Sequence, residues 1–292
     1  MKDIIVIVGP TGVGKTKLSI ELAKRLDAEI INGDSVAIYK RLDIGSAKPT
    51  LEERNEVVHH LVDIKDVNDP YSVYDYQKDV RKLIKKITDR GKRVIIVGGS
   101  GLYIKAALYN YQFTEGTIYN DYEDLTNEDI MEKLKLYYPD INIHINNRKR
   151  LIRLLNKYEN GEVIGTEKNV CLYPIKVIGL TTDRSRLYEH INARVDKMIE
   201  DGLADEVKGL NDDYLSSRIL NSAIGYKEFY EYLFNNKKLD DVIDEIKLNS
   251  RRYAKRQITF FSHQFDTEWF YVDFDDFNET IDLVYNEIKK RC

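Results

Sequence analysis

Cysteine is nearly absent: among 292 residues only Cys171 and Cys292 carry a thiol, and they lie far apart in the chain. A disulfide framework is excluded, and a reducing, cytoplasmic setting is expected. The five histidines, His59, His60, His144, His190 and His263, do not combine with the cysteines or with each other at zinc-ligand spacing. No apolar run approaches the ~20 residues of a membrane span, and no basic-then-apolar leader precedes the first strand, so no membrane association is expected. Positive charge is not in excess either. Forty-five Lys and Arg against 49 Asp and Glu leave a net charge of −4, which excludes a uniformly basic nucleic-acid protein. There is no internal repeat and no low-complexity linker. A chain of this length buries roughly three quarters of its unfolded surface and needs no disulfide or metal staple. Tyrosine is abundant at 21, beside many Lys, Asn and Ile, which reads as compositional bias rather than as a stacking platform.

What is present begins with GPTGVGKT at 9–16, a match to G-x-x-x-x-G-K-[ST] at every fixed position. The apolar, β-branched stretch 3–8 before it reads as a buried strand. After it, Leu18, Leu22 and Leu26 fall at helical spacing, with Glu21, Lys24 and Arg25 on the other face. Gly9, Pro10, Thr11, Gly12, Val13 and Gly14 therefore form a turn between strand and helix, where backbone N–H groups and a helix N-terminus attract phosphate. Lys15 adds a point charge, and the Thr16 hydroxyl suits Mg²⁺. The motif implies a bound di- or triphosphate; it leaves open whether that group belongs to ATP, GTP or another diphosphate ester.

Further strands are expected at 28–32, 94–97 and 173–180, and helices at 72–90, 183–201 and 240–263, the last ending the core. Ser72 with Asp75 and Thr126 with Asp129 are capping boxes. Alternation of strand and helix argues an α/β fold, a P-loop NTPase-like parallel sheet flanked by helices. Between 113 and 171 no buried-strand pattern appears, so this stretch reads as a helical insertion domain within a core made of 1–112 and 172–292.

Four features carry chemistry. The strand at 94–97 runs into Gly98, Gly99 and Ser100 with no carboxylate, although P-loop hydrolases place a Mg²⁺-holding acid at such a strand end. Asp34 follows the second strand, where a carboxylate serves as general base, as magnesium ligand or simply as a turn residue. Two basic runs, Arg148, Lys149, Arg150, Arg153 and Lys157, then Lys247, Arg251, Arg252, Lys255 and Arg256, are either solvated helix faces or a surface for a polyanion larger than one nucleotide. Arg194, one turn beyond His190, is placed either to clamp a diphosphate or to face solvent.

Together these stretches resemble the tRNA dimethylallyltransferases, or tRNA isopentenyltransferases. The similarity rests on GPTGVGKT at 9–16, GDSVAIYKRLDIGSAKP at 33–49, HHLVDI at 59–64, DPYSVYDY at 69–76, VGGSGLYIKAAL at 97–108, IHINNRKRLIRLL at 143–155, IGYKEF at 224–229 and RRYAKRQITFF at 251–261. The resemblance implies transfer of a dimethylallyl group from dimethylallyl diphosphate to the N6 amine of the adenosine 3′-adjacent to the anticodon. It implies Asp34 as general base, and Thr16 and Arg194 as further catalytic groups. Residues 9–16 would hold the diphosphate, with Mg²⁺ at Thr16. Asp34, Ser35, Val36, Ala37, Ser100, Lys149, Arg150, Arg153, Arg251, Arg252, Lys255 and Arg256 would contact the tRNA anticodon stem-loop, the protein acting as a monomer. Ser100 stands where the family usually has Thr, Asn147 where it commonly has Asp, and the insertion is shorter than usual. The competing enzymatic reading is a P-loop small-molecule kinase, which would need ATP turnover and has no use for two basic runs.

Overall fold

The computed structural model describes residues 3–113, 120–139, 141–160 and 170–290. Two units emerge: Met1–Tyr109 with Cys171–Cys292, and Asn110–Val170.

The first unit is built on a six-stranded sheet in the order β3-β2-β4-β1-β5-β6, every pairing parallel. The strands are β1 (Ile4–Val8), β2 (Ala28–Asn32), β3 (His59–His60), β4 (Arg93–Val97), β5 (Ile175–Thr181) and β6 (Thr267–Tyr271). β1 and β2 are buried along their whole length, as expected when helices cover both faces of a parallel sheet. Alternation of side chains divides the core. Ile4, Val6, Val8, Ile31 and Ile96 point to one face, and Ile5, Ile7, Ile30 and Ile95 to the other.

The helices are α1 (Lys15–Leu26), α2 (Leu51–Glu56), α3 (Val73–Thr88), α4 (Gly101–Leu108), α5 (Asn127–Tyr137), α6 (Arg148–Glu159), α7 (Arg184–Glu200), α8 (Leu203–Lys208), α9 (Tyr230–Phe234), α10 (Leu239–Gln264) and α11 (Phe277–Lys289). On the first face α3 contributes Tyr76, Val80, Ile84 and Ile87, and α10 contributes Val242, Ile246 and Phe261. On the second, α1 contributes Leu18 and Leu22, and α11 contributes Ile281, Val284 and Ile288.

Both capping boxes read from the sequence are present, Ser72 with Asp75 on α3 and Thr126 with Asp129 on α5. One expectation fails: α10 does not end the core. β6 follows it, pairs with β5, and leads into α11 on the opposite face. The strand Thr-Glu-Trp-Phe-Tyr mixes polar with apolar residues because it is a half-buried edge, so it lacks the apolar signature of β1. β3 escaped for a different reason, having only two residues.

Among its described residues the second unit is a pair of helices. Ile130, Met131 and Leu134 of α5 pack against Leu151, Ile152 and Leu155 of α6. Arg148 is internal to this pair: its guanidinium donates to the carbonyls of Leu125 (2.8 Å) and Tyr122 (2.7 Å). The remainder of the stretch read as an insertion, 114–119, 140 and 161–169, lies outside the described residues, as does Cys292.

Candidate active site

In a doubly wound sheet, ligands bind beyond the carboxyl ends of the strands. Here β1 opens into the phosphate loop, β2 into Gly33 and Asp34, and β4 into Gly98 and Gly99. A cavity of about 300 Å³ lies at this edge, with Thr11, Asp34, Arg194 and Arg256 among its lining residues. Asp34 is the one carboxylate in that lining.

The loop owes its shape to glycines. Gly9, Gly12 and Gly14 have φ of +143°, +81° and +92°. A Cβ on Gly9 would stand 2.6 Å from the Leu180 carbonyl oxygen, so strand and loop are packed closer than any side chain permits. Lys15 folds back over this loop, its ammonium donating to the carbonyls of Gly9 (3.1 Å) and Pro10 (2.7 Å). Burial, and then the neighbouring Arg194 charge, pull its pKa from 10.5 down to about 7, against the pull of Asp34 in the other direction. Arg194, on α7, is likewise lowered by burial while Asp34 opposes the shift. Among the described residues Arg194 makes no ion pair. Lys15 and Arg194, both half-buried, thus stand near each other as cationic side chains suited to an anion.

Asp34 is held by Asn32. The Asn32 Oδ1 accepts the Asp34 N–H (2.9 Å), and its Nδ2 donates to the Asp34 carbonyl (2.9 Å) and to the buried Leu61 carbonyl (2.9 Å). The Asp34 carboxylate does two things. Oδ1 accepts the N–H of Val36 (2.9 Å), closing an Asx turn, while Oδ2 has no protein hydrogen bond among the described residues. Ser100, the N-cap of α4, braces the same loop: its hydroxyl accepts the Ser35 N–H (3.0 Å) and donates to Ser35 Oγ (3.1 Å).

The missing acid after β4 has a steric explanation. A Cβ on Gly98 would stand 2.1 Å from the carbonyl carbon of Gly33, and one on Gly99 would stand 2.0 Å from Gln257 Nε2. Gln257 of α10 fills the place. Its Oε1 accepts the N–H of Thr11 in the phosphate loop (2.9 Å) and its Nε2 donates to the Gly99 carbonyl (3.2 Å). Tyr253, one turn earlier, donates to the same carbonyl (3.2 Å). Gln257, Tyr253 and Asn32 were not read from the sequence as site residues. The signal for the first two lay within AKRQITFF and its flank, interleaved with the cations.

The expected RNA-contacting residues divide. Arg252, Lys255 and Arg256 on α10 and Lys149, Arg150 and Arg153 on α6 are exposed and lack ion-pair partners among the described residues. Arg256 also stands over the Tyr253 ring, 5.8 Å from its centroid. Arg251 instead donates to Asn192 Oδ1 (2.5 Å), and Lys247 pairs with Asp196 (2.5 Å), so both tie α10 to α7. Val36 lines the cavity, whereas Ala37 is 3 % exposed and offers no side chain to it. His190 stacks on Phe274, with centroids 3.6 Å apart.

No group of three or more His, Cys, Asp or Glu side chains clusters as a metal site among the described residues. The donors at hand are the Thr16 hydroxyl in the first turn of α1 and the Asp34 carboxylate. That set fits a magnesium ion whose main ligands are the oxygens of a bound diphosphate. No helix of the described residues is long and apolar enough to cross a membrane.

The sheet and its phosphate loop define a P-loop NTPase-like α/β protein. The profile of the IPP transferase family matches residues 37–264, beginning beyond both the phosphate loop and Asp34. A tRNA dimethylallyltransferase of Bacillus cytotoxicus is 46% identical over 298 residues, covering 97% of this chain and 94% of its own. Among solved structures, a tRNA isopentenylpyrophosphate transferase of Bacillus halodurans is 42% identical with a TM-score of 0.76, covering 99% of this chain and 96% of that one. A eukaryotic dimethylallyltransferase acting on tRNA is 29% identical with a TM-score of 0.80, covering 92% of this chain and 74% of that one. The chain belongs to the IPP transferase family and is, like its relatives, a prenyltransferase.

Proposed function

We propose that this enzyme transfers a dimethylallyl group from dimethylallyl diphosphate to the N6 amine of the adenosine 3′-adjacent to the anticodon in tRNA. The observation that carries this reading is the cavity itself: Arg194 and the phosphate-loop residue Thr11 line it, Lys15 lies in the same loop, and one carboxylate with a free oxygen faces the space. The names and coverage of the relatives support dimethylallyl transfer to tRNA as the reaction class.

In this reading the loop 9–16, Lys15 and Arg194 hold the diphosphate and stabilise the charge that grows on it as the allylic C1–O bond breaks. The bond that forms is N6–C1. The amine loses one proton in the process, and Asp34 Oδ2 takes it; an aromatic amine is a weak nucleophile and gains from such a base. Magnesium, held by Thr16 and the diphosphate, would supply further charge neutralisation at the leaving group. The acceptor base must leave its stack to enter the cavity, which costs less in an anticodon loop than in a duplex. Ser35, Val36 and Ser100 would contact that nucleotide. Arg252, Lys255 and Arg256 would hold phosphates of the RNA, as would, separately, Lys149, Arg150 and Arg153 of the insertion domain. The enzyme would work as a cytoplasmic monomer. Incubation with anticodon stem-loop RNA and dimethylallyl diphosphate, followed by nucleoside mass analysis, tests the proposal. One adenosine should gain a single five-carbon unit; recovery of unmodified adenosine alone would refute it.

A further inference from the structure

The cavity has a second wall without regular structure. Gly45 and Ser46 build one part of it, and Ser222, Ala223, Ile224 and Gly225 the other. Gly45 and Ser46 belong to the stretch 39–49, which carries no helix or strand. A few backbone bonds, such as Lys40 N–H to the Lys65 carbonyl and Ala47 N–H to the Ile44 carbonyl, shape it, and side chains add to them. At its base the buried Lys48 ammonium donates to the Tyr39 carbonyl (2.8 Å) and pairs with Asp43 (2.7 Å) and Asp63 (2.5 Å). At its tip the partner is Glu206 on α8. The Glu206 Oε2 accepts the N–H groups of Asp43 (3.0 Å) and Ile44 (2.8 Å), and Oε1 accepts that of Gly45 (3.2 Å). Three successive N–H groups converging on one carboxylate form an anion nest filled from within the chain.

A fourth donor completes the arrangement: the Tyr226 hydroxyl donates to Glu206 Oε1 (2.7 Å). The ring of Tyr226 lies directly under Gly45, where a Cβ would come within 2.6 Å of it. Tyr226 is in turn fixed from behind, its carbonyl accepting from the Tyr214 hydroxyl (2.9 Å). Gly225, just before it, has φ +94° and donates its N–H to the buried Glu228 carboxylate (2.9 Å). Glu206 and Tyr226 therefore lock the two irregular parts of the wall to each other. They also lock them to α8, which follows α7 across Gly202 (φ +100°), and α7 carries Arg194.

We infer that Glu206 and Tyr226 are positioning residues for the transfer, latching the 43–46 turn so that the cavity holds the allyl group and the acceptor amine in line. The inference rests on the function proposed above. Neither residue is assigned a contact with substrate. Diphosphate affinity resides in the loop 9–16 and RNA affinity in the basic helices, so loosening the latch should alter alignment rather than binding. A displacement of about 1 Å costs on the order of 10²-fold in rate when alignment governs the step.

The test uses the full chain with Glu206→Gln, Gly45→Ala and Tyr226→Phe. The amide introduced by Glu206→Gln has one acceptor oxygen and cannot accept on both sides. Gly45→Ala pushes the turn off the Tyr226 ring, and Tyr226→Phe removes one O–H with little risk to folding. Single-turnover prenylation of stem-loop RNA should fall on the order of 10–100-fold for the first two variants and less for Tyr226→Phe. RNA affinity and KM for dimethylallyl diphosphate should stay within about twofold of wild type. The Glu206→Gln/Gly45→Ala double variant should be no slower than the worse single one, because both break the same latch. Unchanged rates per folded molecule would overturn the inference, as would binding and rate falling together in step with the folded fraction. Wild type measured alongside separates the two levels. If it does not prenylate the RNA, the proposed function and the latch fall together; if it does while the variants match it, the latch alone falls.

Discussion

Asp34 shows how one side chain can satisfy two readings that the sequence leaves open. Its Oδ1 closes a turn onto Val36 while Oδ2 is left to the cavity. Asparagine can make the same turn bond but cannot take a proton. Asp34→Asn should therefore preserve the loop and still lower kcat by ~10²–10⁴-fold, the usual contribution of a general base, with KM for either substrate moving much less. Single-turnover prenylation by that variant is decisive, and a rate within about threefold of wild type, ~0.65 kcal/mol in barrier, would leave Asp34 as a turn residue only. Lys15 carries a second prediction. Its folded pKa is lowered from 10.5 to about 7. Between those values the unfolded chain holds a proton that the folded chain lacks, so this group makes stability rise with pH across that window; below it the cost of burying the charge is fully present. A bound diphosphate should restore the ammonium. At about pH 8.5, where the ligand is fully ionised, binding of an unreactive dimethylallyl thiodiphosphate should take up close to one proton. Calorimetry in two buffers of different ionisation heat reads this directly. Lys15→Arg, charged throughout, should take up none, and equal uptake by both proteins would assign the proton elsewhere.

At the scale of elements, α10 joins two tasks that its sequence interleaves. Gln257 and Tyr253 reach inward to the phosphate loop and the end of β4, whereas Arg252, Lys255 and Arg256 stay outside. The basic run was legible as a run, but its division was not. Nothing in the spacing distinguishes Arg251, which bonds Asn192, from Arg252, which bonds nothing among the described residues. Only the packing of α7 against α10 decides it. The same holds for α6, where Arg148 is consumed by the carbonyls of Leu125 and Tyr122. The set of α10 cations without a protein partner among the described residues is accordingly smaller than charge counting suggests. Changing Arg252, Lys255 and Arg256 together to Ala should flatten the log–log salt dependence of tRNA binding by roughly 0.7–0.9 per lost phosphate contact. Arg251→Ala should leave that slope nearly unchanged and instead lower the melting temperature. A triple variant with wild-type slope would return these cations to the solvent.

Across the whole molecule, the legible parts were those written in local patterns. The phosphate loop, the all-apolar β1, and the capped α3 and α5 each announce themselves within a short window of sequence. The edge strands β3 and β6 and the closing helix α11 depend on partners distant in sequence. The cavity's second wall depends on Glu206, 161 positions from Gly45, and on Tyr226 beyond it. The absence after β4 belongs to both groups: it was plain in the sequence, but its cause was not. With Gly33 pressed against Gly98, a side chain at 98 would have to move the loop that carries Asp34, and one at 99 would have to displace the Gln257 amide. The sheet thus keeps a phosphate loop, while the end of β4 carries Gly98, Gly99 and the Gln257 amide rather than the acid that serves Mg²⁺ and the attacking water in P-loop hydrolases. Such a protein should bind phosphate chains without cleaving them by water. We expect ATP hydrolysis and phosphoryl transfer to fall far below ordinary enzyme rates, which are on the order of 1 s⁻¹ or more. Phosphate release from ATP, measured with and without stem-loop RNA, checks this. Turnover at ordinary rates would restore the kinase reading and remove the diphosphate ester as the natural occupant of the loop.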